Sequence, residues 1–217
     1  GNVLLRRSPC ERAVAERAVE RYRRALELAP SAPAFFGLGN ARLALGEPAA
    51  AERAYRSALD LEPWAARAHF GLGNALDAQG RREEAAAAFR AALAREPDLA
   101  DAHTNLAIAL DALGRADEAL VHYERALALP PEGAHEHLNL ARHRLTRADP
   151  EGALAAFRAA ARLAPADPKP LEMIARLLAA RAEASPAERA EAVRAAEEAE
   201  RLTGSTRPEL AEALGLA

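Results

Sequence analysis

The chain has 217 residues, of which half are apolar but only 4% aromatic, and its formal net charge is −3 at pH 7. This slightly acidic balance gives no support to sequence-independent nucleic-acid binding, which needs a basic surface. The single cysteine, Cys10, excludes an intrachain disulfide, and no apolar run approaches the roughly 20 residues that span a bilayer.

The N-terminal segment predicts one helix, over residues 11–29, that carries Ala18 and Tyr22 on one face and stops before Pro30. Residues 1–9 are enough only for the remnant of a preceding helix. The chain does not begin with methionine, so we expect a processed product or a fragment of a longer protein.

From there the sequence repeats with a period of 34 residues, which is typical of an array of small units rather than one globular core. Apolar residues within each period follow helical spacing, so each unit predicts two helices. A glycine ends the first helix, and a proline ends the second. The prolines are Pro63, Pro97, Pro131 and Pro165; the glycines are Gly46, Gly80 and Gly114; and the rings between neighbouring units are Tyr55, Phe89, Tyr123 and Phe157.

These positions, with the pairs Leu38-Gly39 and Leu72-Gly73, resemble the tetratricopeptide repeat family over nearly the whole chain. The resemblance implies an all-α, right-handed superhelical solenoid of antiparallel helix pairs, forming a single domain over residues 1–217. The expected boundaries are a partial repeat at 1–31, repeats at 32–65, 66–99, 100–133 and 134–167, a repeat with a lengthened turn at 168–206, and a further helix or cap at 207–217.

Three positions depart from the family pattern. Arg42 and Arg144 stand where a large packing residue is expected, and Ala148 replaces the turn glycine. Asp149-Pro150 suggests that this last turn forms by a different route.

The C-terminal part predicts a helix over residues 187–202, with Ser185 as N-cap and Glu188 completing a capping box. The final segment, with Leu214-Gly215, has the pattern of an opening helix. We therefore expect either more protein beyond it or self-association through the chain ends.

Candidate chemistry is sparse. His69, His103 and His137 share the slot of the packing residue Phe35 and predict half-buried rings, while His122 predicts a surface residue. Neither the histidines nor any Ser, Cys or carboxylate grouping has the spacing of a metal or catalytic site, so we expect no enzyme activity, no metal and no cofactor. The glycine-rich stretch 37–40 lies in a predicted helix and lacks a P-loop lysine.

The family resemblance implies a concave groove lined by the first helix of each unit, where extended peptides or helices bind. Asn40 and Asn74 share one register of this face, and Asn105 and Asn139 share another, resembling the asparagine ladder of the O-GlcNAc transferase superhelix. An amide both donates and accepts, so it can pair with a peptide group whatever its side chain. The candidate groove residues are Phe36, Asn40, Phe70, Asn74, Asp77, Asn105, Asp111, Asn139, Arg142 and Arg176.

The expected partner is a protein or peptide with an apolar anchor near Phe36 and Phe70 and an acidic group near Arg142 and Arg176. A clamp for two carboxylates is disfavoured, because Phe36 and Phe70 occupy the slot where it needs lysine.

The sequence thus favours a non-catalytic protein-interaction scaffold of bacterial type, with a cytoplasmic location favoured over attachment to a membrane protein. Two alternatives stay open: a regulatory or substrate-presenting arm of a larger enzyme such as a glycosyltransferase, and a self-assembling module.

Overall fold

A computed structural model of the chain describes residues 9–130 and 133–204. Over these ranges the protein forms eleven α-helices and no strand, as predicted. The expected helix at 207–217 and nearly all of the remnant at 1–9 lie outside the described residues. The helices are α1 (Pro9–Leu28), α2 (Ala32–Ala44), α3 (Pro48–Leu61), α4 (Ala66–Ala78), α5 (Arg82–Leu93), α6 (Ala100–Ala112), α7 (Ala116–Leu127), α8 (Ala134–Thr146), α9 (Pro150–Leu163), α10 (Pro168–Ala179) and α11 (Pro186–Thr203).

The chain divides into two compact units, Gly1–His122 and Tyr123–Ala217. In the first unit, α2 packs against α3 and α4 against α5, each pair joined by a short turn that makes an antiparallel hairpin. In the second unit, α8 pairs with α9 and α10 with α11 in the same way. Helix α7 spans the division between the units.

The turns within the pairs depend on one left-handed residue. Gly46, Gly80 and Gly114 have φ of 75°, 76° and 76°, as their recurrence predicts. Ala148 also adopts a left-handed conformation, with φ of 55°. The prediction of a different route for this turn is therefore wrong: the backbone repeats the turn and accepts the strain of a Cβ atom in this region. Asp149 instead caps α9, accepting from the Gly152 amide at 2.9 Å.

The core is built from small residues with single rings between helices, in agreement with the low aromatic content. Tyr55, Phe89 and Phe157 are almost completely buried among alanines. In the second unit, Phe157 packs with Ala141, Ile174 and other residues of α8 to α11. Such packing places helices close together.

The remaining local predictions concern helix ends and surface charge. The capping box of α11 is confirmed, since Ser185 Oγ accepts from the Glu188 amide and the Glu188 carboxylate accepts from the Ser185 amide. Arg42 pairs with Glu47, and Arg144 lies 4.0 Å from Asp149. Both arginines that depart from the family pattern therefore form a charge pair across the following turn. Among the described helices, none combines the length and apolar character that membrane crossing needs.

Candidate functional site

The aromatic candidates of the first unit belong partly to its core. Phe36 lies on α2 with its ring tilted against Tyr55, the centroids 5.9 Å apart. Phe70, at the same position of α4, packs against Phe89 with a centroid distance of 5.8 Å. Both phenylalanine rings are half-buried. Each therefore offers a partner only part of its surface and stabilises its helix pair with the rest.

Glycines on the first helices fix the positions of the Tyr55 and Phe89 rings. A Cβ atom at Gly39 or Gly71 would approach Cε1 of Tyr55 to 2.6 or 2.5 Å, so this ring is held between α2 and α4 by two residues without side chains. A Cβ atom at Gly73 would likewise come within 2.6 Å of Cδ1 of Phe89. The Gly-Leu-Gly phrase thus serves close helix packing.

Asn40 is tied to the core by a side-chain hydrogen bond. The Tyr55 hydroxyl donates to Oδ1 of Asn40 at 2.6 Å, and Tyr55 is buried while Asn40 is exposed. Burial raises the pKa of the Tyr55 hydroxyl, which keeps it a donor. The acceptor of Asn40 is therefore occupied by the protein itself.

Asn74 and Asn105, both candidate residues, form a side-chain contact that resembles one step of a ladder. Nδ2 of Asn105 donates to Oδ1 of Asn74 at 2.8 Å, joining α6 to α4. Both side chains are half-buried. The bond uses neither Nδ2 of Asn74 nor Oδ1 of Asn105, so the pair keeps one further amide donor and one further amide acceptor. A peptide group needs this combination, an acceptor for its N–H and a donor for its C=O.

In the 34-residue repeat, Asn74 and Asn105 occupy different register positions. In the structure, a side-chain hydrogen bond joins them. Asn105 stands at the position of Gly71, and Asn74 at the position of Asn40. Phe89 has no hydroxyl where Tyr55 has one, and Asn105 brings an amide where Gly71 has none, so the carbonyl of Asn74 accepts from Asn105.

Acidic and apolar groups complete this face of the first unit. Asp77 is exposed on α4, and Asp111 is half-buried on α6, where it has an interaction of its own. Ile108 is 39% exposed and was not among the predicted candidates. Its register, shared with Asn74, was the available signal for it.

The second unit carries its candidate residues on α8 and α10. Asn139 is half-buried and Arg142 exposed, about one turn apart on α8. Arg176, exposed on α10, stands at the register position of Arg142 and has an interaction of its own. This unit therefore presents basic groups at the positions where the first has amides.

The histidines have structural roles, and one prediction is wrong. Nε2 of His69 lies 3.0 Å from the carbonyl of Pro63, and Nε2 of His103 lies 3.0 Å from that of Pro97. This agrees with the predicted packing role. His122, however, is half-buried rather than on the surface, with its Nδ1 2.9 Å from Nδ1 of His103. Burial lowers the pKa of His122, and the neighbouring His103 lowers it further.

A charge network away from the candidate face links the pairs α2–α3 and α4–α5. The Glu52 carboxylate on α3 accepts from Gln79 at 2.8 Å and from Arg81 at 2.7 Å, both in the turn before α5. Burial would raise the pKa of Glu52, but the hydrogen bonds from Gln79 and Arg81 outweigh it and hold this pKa below its ordinary value. Glu52 thus bonds as an ion and helps fix the spacing of the helices that carry the candidate face.

Comparison with known proteins agrees with this architecture. The tetratricopeptide repeat family model matches residues 36–93 and 70–134. No curated protein sequence matches the chain.

Solved structures share the fold at low sequence identity. PilF of Pseudomonas aeruginosa superposes with a TM-score of 0.73 at 24% identity, covering 85% of each chain. PilW, described as a widely conserved type IV pilus biogenesis factor, gives 0.70 at 18% identity, covering 86% of this chain and 87% of its own. YrrB, described as a TPR protein with an unusual peptide-binding site, gives 0.66 at 22% identity, covering 90% of this chain and 97% of its own.

The predicted fold class, an all-α solenoid of helix pairs, is thereby confirmed. The family model matches residues 36–134, and the helix pairs are shared with these structures, so this part of the chain belongs to the tetratricopeptide repeat family.

Proposed function

We propose that the chain is a non-catalytic protein-interaction scaffold whose first unit holds an extended peptide by its main chain. Membership of a family of interaction modules supports the general role. The Asn74–Asn105 pair supports the particular mode, because its hydrogen bond leaves one amide donor and one amide acceptor on half-buried side chains.

The main-chain contacts follow from the amide chemistry. Nδ2 of Asn74 donates to a peptide carbonyl, and Oδ1 of Asn105 accepts from a peptide N–H. Since every residue other than proline offers both groups, these bonds fix the position of a peptide without selecting its sequence. Part of the surroundings is apolar and half-buried, which strengthens each bond relative to one in open water.

Side-chain selection comes from the residues around the pair. Phe70 and Ile108 flank it with apolar surface, and Asp77 adds an exposed carboxylate one turn after Asn74. The preferred ligand of the first unit is therefore a peptide with an apolar residue beside these side chains and a lysine or arginine near Asp77. YrrB, which shares the fold, is itself described as having a peptide-binding site, and this supports the mode.

The second unit provides the expected acidic preference. Arg142 and Arg176 are exposed guanidinium groups at equivalent positions, and each can hold a carboxylate with two hydrogen bonds. Replacing both by alanine should lower the affinity for a ligand that carries an acidic group by several-fold. Unchanged affinity would remove this part of the proposal.

The main experiment is selection of displayed random peptides on the full chain, with depletion against the double variant Asn74→Ala/Asn105→Ala. The surviving peptides are then synthesised and titrated by calorimetry. We expect Asn105→Ala alone to weaken binding by about tenfold, the effect of losing roughly one buried hydrogen bond to the ligand and the support of Asn74.

Asn40→Ala is the matched control. It removes the same side chain from the register position of Asn74, but its acceptor serves Tyr55 rather than a ligand. Peptides that bind the double variant as tightly as the wild type, or a selection that enriches none, would refute main-chain capture by this pair.

A further inference from the structure

A cavity of about 310 Å³ in the first unit is lined by arginines from three successive helices. Arg23 comes from α1, Arg42 from α2 and Arg53 from α3. Phe35 and Leu38 of α2, both half-buried, give the cavity an apolar part. None of its lining residues, all of which the structure describes, is acidic. Three positive charges therefore converge beside apolar surface.

Two of these arginines have no partner for their charge. Arg42 donates to the Glu47 carboxylate in the following turn. Arg23 and Arg53 are exposed, and within the described residues the side chain of neither forms a hydrogen bond or an ion pair. Like charges that share a cavity raise its positive potential, and this potential favours an anionic ligand.

The next repeat shows that the fold does not require these arginines. One period further on, the equivalent positions carry uncharged residues: Ser57, Leu76 and Ala87. Leu76 is 2% exposed, so Arg42 stands where the next repeat buries a leucine. The cluster of positive charge is therefore particular to the cavity between α1 and α3.

The second unit has a cavity of about 450 Å³ at equivalent positions. Leu171 of α10 lines it at the register position of Phe35. The four buried residues of α11 have the same spacing as the four on α3, and this spacing aligns Arg194 with Arg53. The two cavities can therefore be compared residue by residue.

In the second cavity, carboxylates of the chain itself lie among the arginines. Glu191 and Glu198 stand one turn before and one turn after Arg194 on α11. Arg158 of α9 donates to the Glu191 carboxylate at 2.8 and 2.6 Å. These hydrogen bonds lower the pKa of Glu191, and the charge of Arg194 lowers it further. The second unit thus neutralises arginines that surround its cavity.

The first cavity has uncharged residues, Ala50 and Ser57, at both of these carboxylate positions. We propose that an acidic peptide segment of a partner protein supplies the missing carboxylates. Each guanidinium of Arg23 and Arg53 can hold a carboxylate with two hydrogen bonds. The apolar lining favours a peptide over free phosphate, because an apolar side chain beside the carboxylates is buried there as well.

This site is separate from the Asn74–Asn105 pair. By helical spacing, Phe35 and Leu38 lie on a different side of α2 from Asn40, which belongs to the candidate peptide face. A ligand of the cavity therefore leaves that face accessible.

The experiment is selection of displayed random peptides on the full chain carrying Asn74→Ala/Asn105→Ala, which removes the other proposed site. The library is depleted on the same chain with Arg23→Glu/Arg53→Glu added. We expect enriched peptides that carry at least two Asp or Glu residues beside an apolar residue. Calorimetry should show that Arg23→Glu/Arg53→Glu lowers their affinity by about tenfold or more, and that added salt weakens binding to the parent chain.

Two further variants separate recognition from net charge. Arg17→Glu/Arg67→Glu changes the net charge equally at exposed positions outside the cavity, and it should bind like its parent. Ala50→Glu/Ser57→Glu keeps every arginine but places carboxylates beside them, as in the second unit, and it should abolish binding. Its urea midpoint should be no lower than that of the parent, since new ion pairs replace repulsion.

Enrichment of no peptide, or of peptides without acidic residues, would overturn the proposal. So would binding that survives Ala50→Glu/Ser57→Glu, or an equal loss in Arg17→Glu/Arg67→Glu, which would indicate general attraction to a basic surface. Inorganic phosphate that displaces the peptides better than sodium chloride at equal ionic strength would identify an anion site only. Self-association of the wild type that Arg23→Glu/Arg53→Glu removes would identify a second copy as the occupant, and both results contradict a peptide partner.

Discussion

The helix pairs α2–α3 and α4–α5 share the phrase Phe-Gly-Leu-Gly-Asn-Ala on their first helices, yet their asparagines have different roles. In the first pair, Asn40 accepts from the Tyr55 hydroxyl. In the second, Phe89 replaces the tyrosine, and Asn74 accepts from Asn105 of the next first helix. Two differences therefore separate these asparagines: Phe89 lacks the hydroxyl of Tyr55, and Asn105 stands where the first pair meets Gly71.

The comparison shows that register alone does not define a binding site. Residues at equivalent positions of the repeat have similar backbone conformations. The side chain that contacts each of them comes from another helix, and its identity differs from one repeat to the next. Among the groove candidates of the first unit, Asn74 and Asn105 are thus better supported than Asn40, which has the same sequence context.

The largest expected effect comes from the glycines that hold the two rings. Gly39→Ala and Gly73→Ala each place a Cβ atom against a buried ring, and we expect a loss of about 2 kcal/mol in the free energy of unfolding despite the better helix propensity of alanine. Gly39→Ala should cost more than Gly73→Ala, because Tyr55 is held from both sides and tied to Asn40. Urea unfolding measures both.

Shrinking the ring provides the control for this prediction. In the double variant Gly73→Ala/Phe89→Leu the clash is relieved. Its loss of unfolding free energy should therefore be smaller than the sum of the losses in the two single variants. Simple additivity would mean that the ring does not limit the approach of the helices.

The next effect concerns the charge network between the two pairs. Glu52→Gln should lower the free energy of unfolding by about 1.5 kcal/mol at pH 7, because a largely buried ion bonded to Gln79 and Arg81 is lost. Glu84→Gln, which removes the exposed partner of the same arginine, should leave stability unchanged.

The pH dependence of this difference has a definite sign. The folded-state pKa of Glu52 is lowered, so its contribution is present above the unfolded-state pKa and disappears as pH falls through the folded value. Wild type and Glu52→Gln should therefore converge in urea midpoint as pH falls below the ordinary titration range of a glutamate carboxyl. A gap that persists at the acid end would assign the effect to packing instead.

The smallest effect is the most specific to the comparison. Tyr55→Phe removes the hydroxyl that donates to Asn40 and should cost about 1 kcal/mol in unfolding free energy, the value of one hydrogen bond. Phe89→Tyr makes the second pair like the first and should leave stability nearly unchanged while weakening a selected peptide, since its hydroxyl competes with Asn105 for Asn74. Equal peptide affinity for Phe89→Tyr and wild type would break the comparison.

Much of the fold could be predicted because its determinants are local. The helical spacing, the turn glycines and the capping box of Ser185 and Glu188 each act within a few residues. Ala148 shows the limit: its intrinsic preference opposes a left-handed turn, but the packing of α8 against α9 imposes the turn. The local sequence pattern carries no signal for tertiary contacts of this kind.

The sequence predicts which helix face carries the candidate site, but it does not predict which residues on that face contact one another. The register placed Asn74 and Asn105 on the first helices, but their contact joins positions 31 residues apart, and it depends on the missing hydroxyl of Phe89. His122 was misplaced for a similar reason, since His103 comes to it from another helix. Pairings between helices are set by packing geometry, which a period in the sequence does not specify.

The most direct test of main-chain capture is an NMR titration of the full chain with a selected peptide, after labelling the asparagine side chains with nitrogen-15. The sequence has only five asparagines, so their amide signals are few enough to assign by substitution. If the pair binds the peptide main chain, the side-chain amide signals of Asn74 and Asn105 should move together on binding while that of Asn40 stays in place. Binding that leaves Asn74 and Asn105 unmoved would contradict it.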